Sequence, residues 1–351
     1  LGDIDGDGHL DLISGSWPGE LFLFRGGPDR TFGKPEMLRD KDGKVLLPGG
    51  GVKPGGSGML LVAGSAKFET DDDGRGVIDL HGEKIPSPRD GQVGITGTAA
   101  SPCLCDWDAD GDLDLLVGEI GGTIYLIPNE GTPKAYAYGK PRLLEIDAGT
   151  ATVSLTDRLR AAVQGGSPNA LRVQGDAGPF AADWDGDGKL DLLCGSGDGG
   201  VKWFRNIGTP TAPRLAAGVD LVPAQRNDPS KPATEPQPGT RSKVCAADWN
   251  GDGKLDLLVG DFAMLQPPKP ELTPEREKEN AEKTAKAEEL MKEYQKVISK
   301  TFGPGASKLS KEETKAIADQ AQEVLKRWRE ARQGLPEDYE THGWVWFYRR
   351  L

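Results

Sequence analysis

One pattern constrains this chain more than any other feature of it: DIDGDGHLDLI from Asp3, DWDADGDLDLL from Asp106, DWDGDGKLDLL from Asp183 and DWNGDGKLDLL from Asp248. Each copy places acidic or amide side chains at every second position, with Gly or Ala between the later ones, and then turns apolar. Two carboxylates about 4 Å apart repel by about 1 kcal/mol in water and by about 4 kcal/mol at the effective dielectric of a protein surface. Such a cluster opposes folding unless something positive sits inside it, and the sequence supplies no nearby arginine. The consensus D-x-[DN]-x-D-G-x-L-D-L puts oxygen donors at loop positions 1, 3, 5 and 9 and a glycine at position 6, where a tight turn needs positive φ.

Hard oxygen ligands in a short loop suit Ca²⁺, which takes six to eight of them at 2.3–2.6 Å. About four calcium sites are therefore expected. Their side-chain ligands would be Asp3, Asp5, Asp7 and Asp11; Asp106, Asp108, Asp110 and Asp114; Asp183, Asp185, Asp187 and Asp191; and Asp248, Asn250, Asp252 and Asp256. Position 7 varies freely, so His9, Asp112, Lys189 and Lys254 are expected to contribute backbone carbonyls. Asn250 removes one charge and predicts a weaker fourth site. An EF-hand would need a bidentate glutamate at position 12, which here holds Ser14, Val117, Cys194 and Val259.

The flanks of each loop predict the architecture. Short apolar runs lead in (SPCLCD, GPFAAD, KVCAAD), and runs such as LDLLVG and LDLLCG lead out, apolar on both faces and hence buried on both. A glycine-rich turn then precedes an aromatic strand: ELFLFRG, TIYLIPN, VKWFRN and WVWFYRR. Two of these continue through N-x-G-T-P (Asn129 to Pro133, Asn206 to Pro210) to a weaker fourth strand around PRLLEI and APRLAAG. Four antiparallel strands per repeat, covered on both faces, describe a propeller blade. The fold class is thus all-β, a β-propeller of four-stranded blades, at least four of them bearing calcium loops.

These loops, followed by G-x-[VI]-x-[WFL]-[FI]-x-N-x-G-T, resemble the FG-GAP/VCBS repeats of integrin α-chains and of many secreted bacterial proteins. The DWDGDG variant is similar to propeller proteins of planctomycete bacteria. The resemblance covers roughly residues 1–262 and 343–351. It implies the fold, calcium and an extracytoplasmic setting, but no single activity. The chain opens at Leu1 without methionine and without the first strand of its first blade, which reads as a mature or truncated chain.

The fourth repeat is interrupted over residues 263–342. Thr273-Pro274-Glu275 reads as a helix start and Ser310-x-x-Glu313 as a capping box. Apolar residues recur at helical spacing from Ala287 to Ile298 and from Ile317 to Ala331, and Gly334 with Pro336 ends the second run. An antiparallel α-helical hairpin is expected, its first helix about 40 Å long. If the acidic loops share one face, the hairpin and the long connections at about 39–98, 145–177 and 220–241 lie on the other. That second face is expected to bind a protein partner or cell-surface component, with a glycan as the first alternative and a hydrolase or lyase site borne on the long loops as the last.

Enzymatic motifs are missing. The three histidines, His9, His81 and His342, stand outside any triad or ligand context, and the one G-x-G-x-x-G match, Gly195 to Gly200, falls in a β-hairpin. Trp107, Trp184 and Trp249 read as blade packing rather than as a sugar platform. FETDDDGRGVIDLHGE from Phe68, with Asp71, Asp73, Asp79 and His81, reads as an acidic turn. The net charge of −12 argues against nucleic acid, and four divalent ions would reduce it to about −4. No apolar run reaches the 18 residues of a membrane span. Cys103, Cys105, Cys194 and Cys245 lie in apolar strands and read as buried free thiols. Loops of this kind hold calcium in the millimolar range of extracellular modules, which again places the chain outside the cytoplasm.

Overall fold

The computed structural model describes residues 1–351 except 18, 49–50, 55–65, 71–75, 81–82, 87–92, 97–98, 151–166, 226–227, 229–230, 232–234, 266, 268–270, 303–309 and 337–338. Its strands are β1 (Leu12–Gly15), β2 (Leu21–Phe24), β3 (Glu36–Met37), β4 (Gly51–Pro54), β5 (Ala66–Thr70), β6 (Gly76–Leu80), β7 (Glu83–Pro86), β8 (Val93–Thr96), β9 (Ser101–Cys105) and β10 (Asp114–Gly118). They continue as β11 (Ile124–Ile127), β12 (Arg142–Leu143), β13 (Gly178–Ala182), β14 (Asp191–Gly195), β15 (Val201–Phe204), β16 (Val219–Val222), β17 (Thr240–Ala247), β18 (Asp256–Leu265), β19 (Glu340–His342) and β20 (Val345–Tyr348). Two helices, α1 (Pro274–Phe302) and α2 (Lys311–Arg332), separate β18 from β19.

The sheets follow the acidic loops. β9 to β12 and β13 to β16 are four-stranded antiparallel meanders, β1-β2-β3 is three-stranded, and β17-β18-β20 forms the last sheet, with β19 on the extended end of β18. Each sheet packs on the next, β1 on β9, β10 on β13 and β14 on β17. The architecture is a β-propeller of four consecutive blades. β4 pairs with β8, and β5-β6-β7 form a small meander between the first and second blades. Thr70 pairs with Gly76 there, so Phe68 and Asp79 lie on paired strands. Residues 71–75 and 81–82, which carry Asp71, Asp73 and His81, lie outside the described residues, as does much of the long connections.

The core is divided among blade interfaces. Ile4, Ile13, Leu21 and Leu23 of the first blade meet Leu115, Val117 and Ile127 of the second. Trp107, Leu116, Ile124 and Leu126 meet Leu192, Cys194 and Phe204 of the third. Trp184, Leu193 and Val201 meet Val244, Leu257 and Val259 of the fourth. Because successive side chains on a strand point to opposite faces, Leu115 and Leu116 serve different interfaces, which is why these strands read as continuous apolar runs.

Three readings are corrected. APRLAAG is not the fourth strand of its blade: the strand forms one step later at β16, while Leu215 makes isolated bridges to Asn206 and Ile146. The cysteines are all free, but Cys245 is exposed and Cys103 only partly buried. Trp107 and Trp184 are buried between blades, whereas Trp249 is exposed.

The helices run antiparallel: Lys283 Nζ donates to the Gln333 carbonyl, and Arg327 pairs with Glu293. Their seam is Ala287, Leu290, Tyr294, Val324, Trp328 and Ala331. The capping box of Ser310 and Glu313 is formed, each side chain reaching the other's backbone N–H. At 29 residues, α1 is about 43 Å long.

Blade spacing depends on a glycine at the end of each second strand. A Cβ at Gly15, Gly118 or Gly195 would sit 2.0–2.2 Å from the carbonyl of Ala100, Ala177 or Ser242, where the chain enters the next blade. At Gly260 the nearest such atom is 3.9 Å away. Gly118→Ala and Gly195→Ala should each cost about 1–3 kcal/mol or more, as overpacked core substitutions do. Gly260→Ala should stay within about 0.5 kcal/mol, in the manner of a surface change. Urea titration of the three variants checks the contrast.

Candidate metal centres

Each acidic loop is folded by its own first aspartate. Asp3 accepts the backbone N–H groups of Gly6, Asp7 and Gly8, Asp183 those of Gly186, Asp187 and Gly188, and Asp248 those of Gly251, Asp252 and Gly253. Asp106 accepts from Asp110 and Gly111. The position-6 glycines Gly8, Gly111, Gly188 and Gly253 have φ between 83 and 96°, as their spacing predicts. Position 4 also needs positive φ, and in the second loop Ala109 adopts 54° there, a left-handed conformation that costs an L-residue about 1–2 kcal/mol.

The position-5 aspartates accept the N–H two residues on: Asp7 from His9, Asp110 from Asp112, Asp187 from Lys189 and Asp252 from Lys254. The position-9 aspartates are almost fully buried and clasp the loop to the end of the third strand. Asp11, Asp114, Asp191 and Asp256 accept the backbone N–H of Gly26, Asn129, Asn206 and Arg350 at 2.6–2.8 Å. Their second oxygens accept from Ile4 N, Trp107 N, Trp203 Nε1 and Asn250 Nδ2. Only Asp11 also comes together with its loop's other carboxylates, Asp3 and Asp5.

Position 3 behaves differently. One carboxylate oxygen of Asp5, of Asp108 and of Asp185 is buried without a hydrogen-bond partner. Carboxylate oxygens converge to within 4.8 Å of one another in Asp3/Asp5/Asp11, in Asp106/Asp108/Asp110 and in Asp183/Asp185/Asp187. A buried carboxylate oxygen left unpaired costs at least the 1–3 kcal/mol of an unsatisfied polar group, so three equivalent orphans, each beside other carboxylates, fit a cation. In the fourth loop Asn250 occupies this position, accepts from Asp252 N at 2.9 Å and donates to Asp256 at 3.1 Å. Its amide leaves no orphaned oxygen at this position.

Arginines enter from the third strands, contrary to the sequence expectation. Arg25 pairs with Asp5, Arg205 with Asp185 at 2.6 Å and Asp187 at 3.2 Å, and Arg349 lies 3.6 Å from Asp252. They are 14 or more residues away in sequence and are brought in by the clasp at position 9. The second loop has Pro128 at the corresponding position and an additional acid, Asp112, whose side chain is 3% exposed with one oxygen unpartnered. Burial and the neighbouring Asp110 and Asp108 push the Asp112 carboxyl up to about 6. Burial likewise raises Asp114 to about 6, against the hydrogen bonds from Asn129 and Trp107. In the third loop, Lys189 and Arg205 instead hold Asp187 below the usual carboxylate range.

Residues 183–259 match a family model described as FG-GAP-like repeat, a stretch that spans the third and fourth loops and the β14 to β17 strands between them. The comparison with curated proteins found no match. The propeller with its FG-GAP-type repeat is an architecture consistent with a non-enzymatic binding module. The G-x-G-x-x-G match lies between antiparallel β14 and β15, outside any phosphate-binding turn. Among the described residues no helix is long and apolar enough to cross a membrane.

The raised carboxyls fix the sign of a pH effect. Asp112 and Asp114 titrate near 6 when folded and near 3.9 when unfolded. Between those values the folded chain binds more protons, so stability is greatest at the acid end and is lost as pH rises through about 6. Thermal melts of chelator-treated protein should show a higher melting temperature at pH 5 than at pH 7. A melting temperature that falls steadily on acidification across that window contradicts the assignment.

Proposed function

We propose that this protein is a non-enzymatic, calcium-stabilised extracytoplasmic propeller that serves as a scaffold or protein-binding module. The orphaned position-3 oxygens of Asp5, Asp108 and Asp185 carry the reading: each is a buried acceptor that a bound cation would satisfy, and the one loop with asparagine there has no orphan. The ligands would be the position 1 and 3 carboxylates, joined by Asp11 in the first loop and by the position-5 carboxylates Asp110 and Asp187 in the second and third, with the position-7 carbonyls. In the second loop the Asp112 side chain would add to them. The fourth loop is the weakest site, because Asn250 already satisfies its neighbours. A cation at 100 times its dissociation constant adds about 2.7 kcal/mol per site to stability.

Binding would belong to the face opposite the loops, where α1 and α2 project from the end of β18. Support comes from the hairpin's own core, which makes it an independent arm. A glycan is the second reading, favoured by the row of rings at the foot of the hairpin. His342 stacks on Trp344 at 5.3 Å, Trp346 follows at 6.5 Å, and Asp261 accepts from Trp346 Nε1. A glycan array probed with the chain and with Trp344→Ala separates the two.

Asp108→Asn provides the sharpest test of the metal reading, because its effect changes sign with calcium. Without calcium it should raise the melting temperature, since an amide can satisfy itself as Asn250 does. With calcium at millimolar concentration it should lower the calcium-induced gain by roughly the contribution of one site, about 2–3 kcal/mol. Scanning calorimetry of both proteins in chelator and in calcium measures this. No gain from calcium in the unsubstituted protein would overturn the proposal.

A further inference from the structure

Three of the four cysteines meet in the core between the second and third blades, and two of them make a pair. Cys103 and Cys105 stand two residues apart on β9, opposite Leu116 and Asp114 of β10, so both side chains project from the same face. The two thiols are hydrogen-bonded to each other. Cys105 is buried beside Trp107, Leu116 and Leu192, and Cys103 lies at the margin of the same core, half-buried. Cys194 is also in this core, but it is fully buried and donates its thiol to the Gly195 carbonyl at 3.1 Å.

Packing alone does not account for the pair. In the third and fourth blades the residues equivalent to Cys105, opposite Asp191 and Asp256, are Ala182 and Ala247, so the place beside the buried aspartate does not require a thiol. The donor set is also narrow. Among the described residues, the acidic and thiol groups that converge in threes are confined to the loops, and none includes a cysteine. Asp114, opposite Cys105, has both oxygens engaged by the N–H groups of Asn129 and Trp107. Two thiols with no third side-chain donor do not suit Ca²⁺, which takes six to eight oxygens, and supply only half of the tetrahedron of a structural Zn²⁺ site. Soft thiolate ligands select Cu(I). The thiolate is the form that ligates, and the hydrogen bond to Cys105 draws the Cys103 thiol below the usual thiol range. Cys103 lines a cavity of about 340 Å³ with Phe180 and Lys243, which gives an ion the entry path a metal site needs.

We propose that Cys103 and Cys105 form a binding site for a soft monovalent cation of the Cu(I) class, separate in position and in chemistry from the oxygen-lined loops. The ion takes one thiolate sulfur from each residue, the two thiol protons pass to solvent, and no electron is transferred. This does not rest on calcium at the loops.

Anaerobic titration of the reduced chain with Cu(I) against a competing chromophoric chelator tests it, with calcium in excess to compete for the loop carboxylates. The expected result is one equivalent of Cu(I) held per chain, lost in Cys103→Ser and in Cys105→Ala and retained in Cys245→Ser. Cys105→Ala places in β9 the residue that β13 and β17 already carry, and thermal melts confirm that the variants fold. X-ray absorption of the loaded, unsubstituted chain reads the site without any substitution and should show two sulfur neighbours and no oxygen or nitrogen. Failure to retain Cu(I) overturns the proposal, and so does an equivalent that survives Cys105→Ala, or Zn²⁺ held by the pair as tightly as Cu(I).

Discussion

The structure depends most on a buried carboxylate that serves no exposed surface. At the ninth loop position, Asp11, Asp114, Asp191 and Asp256 are 0–1% exposed and hydrogen-bond to the backbone beyond the third strand. A blade's first and second strands are joined by the loop, and its second and third by a hairpin. Nothing local fixes the loop against the third strand. The clasp does this, and hydrogen bonds to a charged group contribute about 1.5–3 kcal/mol each. It also brings the arginine that follows the third strand to the loop in three of four repeats.

The four loops thereby solve one electrostatic problem in different ways. The first and third keep an orphaned oxygen and a guanidinium at the same carboxylate, so an arginine screens the cluster from outside without filling its centre. The fourth exchanges the carboxylate for an amide and is satisfied internally. The second does neither: it adds Asp112, lacks the arginine and holds its acids in a state that resists ionisation. Burial and like charge both raise Asp108 and Asp112 there. By Coulomb's law the same arrangement would interact most strongly with a cation, since each carboxylate that repels its neighbours attracts a central ion.

Most of the blade was legible in the sequence because it is written in short range. Loop spacing, strand pattern and the capping box at Ser310 concern residues within a dozen positions of each other. The N-x-G-T-P signal was also local, Asn129 and Asn206 each accepting N–H groups two and eight residues on. What could not be read was carried by strand pairing: Arg205 meets Asp185 only because β14 and β15 are in register. That position 9 also clasps the third strand was hidden for a similar reason, since an acceptor for a backbone N–H and a cation ligand are both aspartate in a one-dimensional pattern. The fourth strand was misplaced by a few residues because Leu215 is apolar for its bridge to the neighbouring Ile146 rather than for a ladder of its own.

Burial exposed another limit of the repeat as a guide. Trp184 and Trp249 occupy identical loop contexts, yet one is 6% and the other 68% exposed. Stability in a repeat array is close to a sum over units and their nearest-neighbour interfaces, and terminal units normally carry a polar outer face. Leu10 of the first blade and Trp249, Val345 and Phe347 of the fourth stand at interface positions and are exposed. Each large side chain left in water forgoes about 1.5–3 kcal/mol of burial. Burial here is set by which blade stands beside a residue, not by the loop motif that carries it.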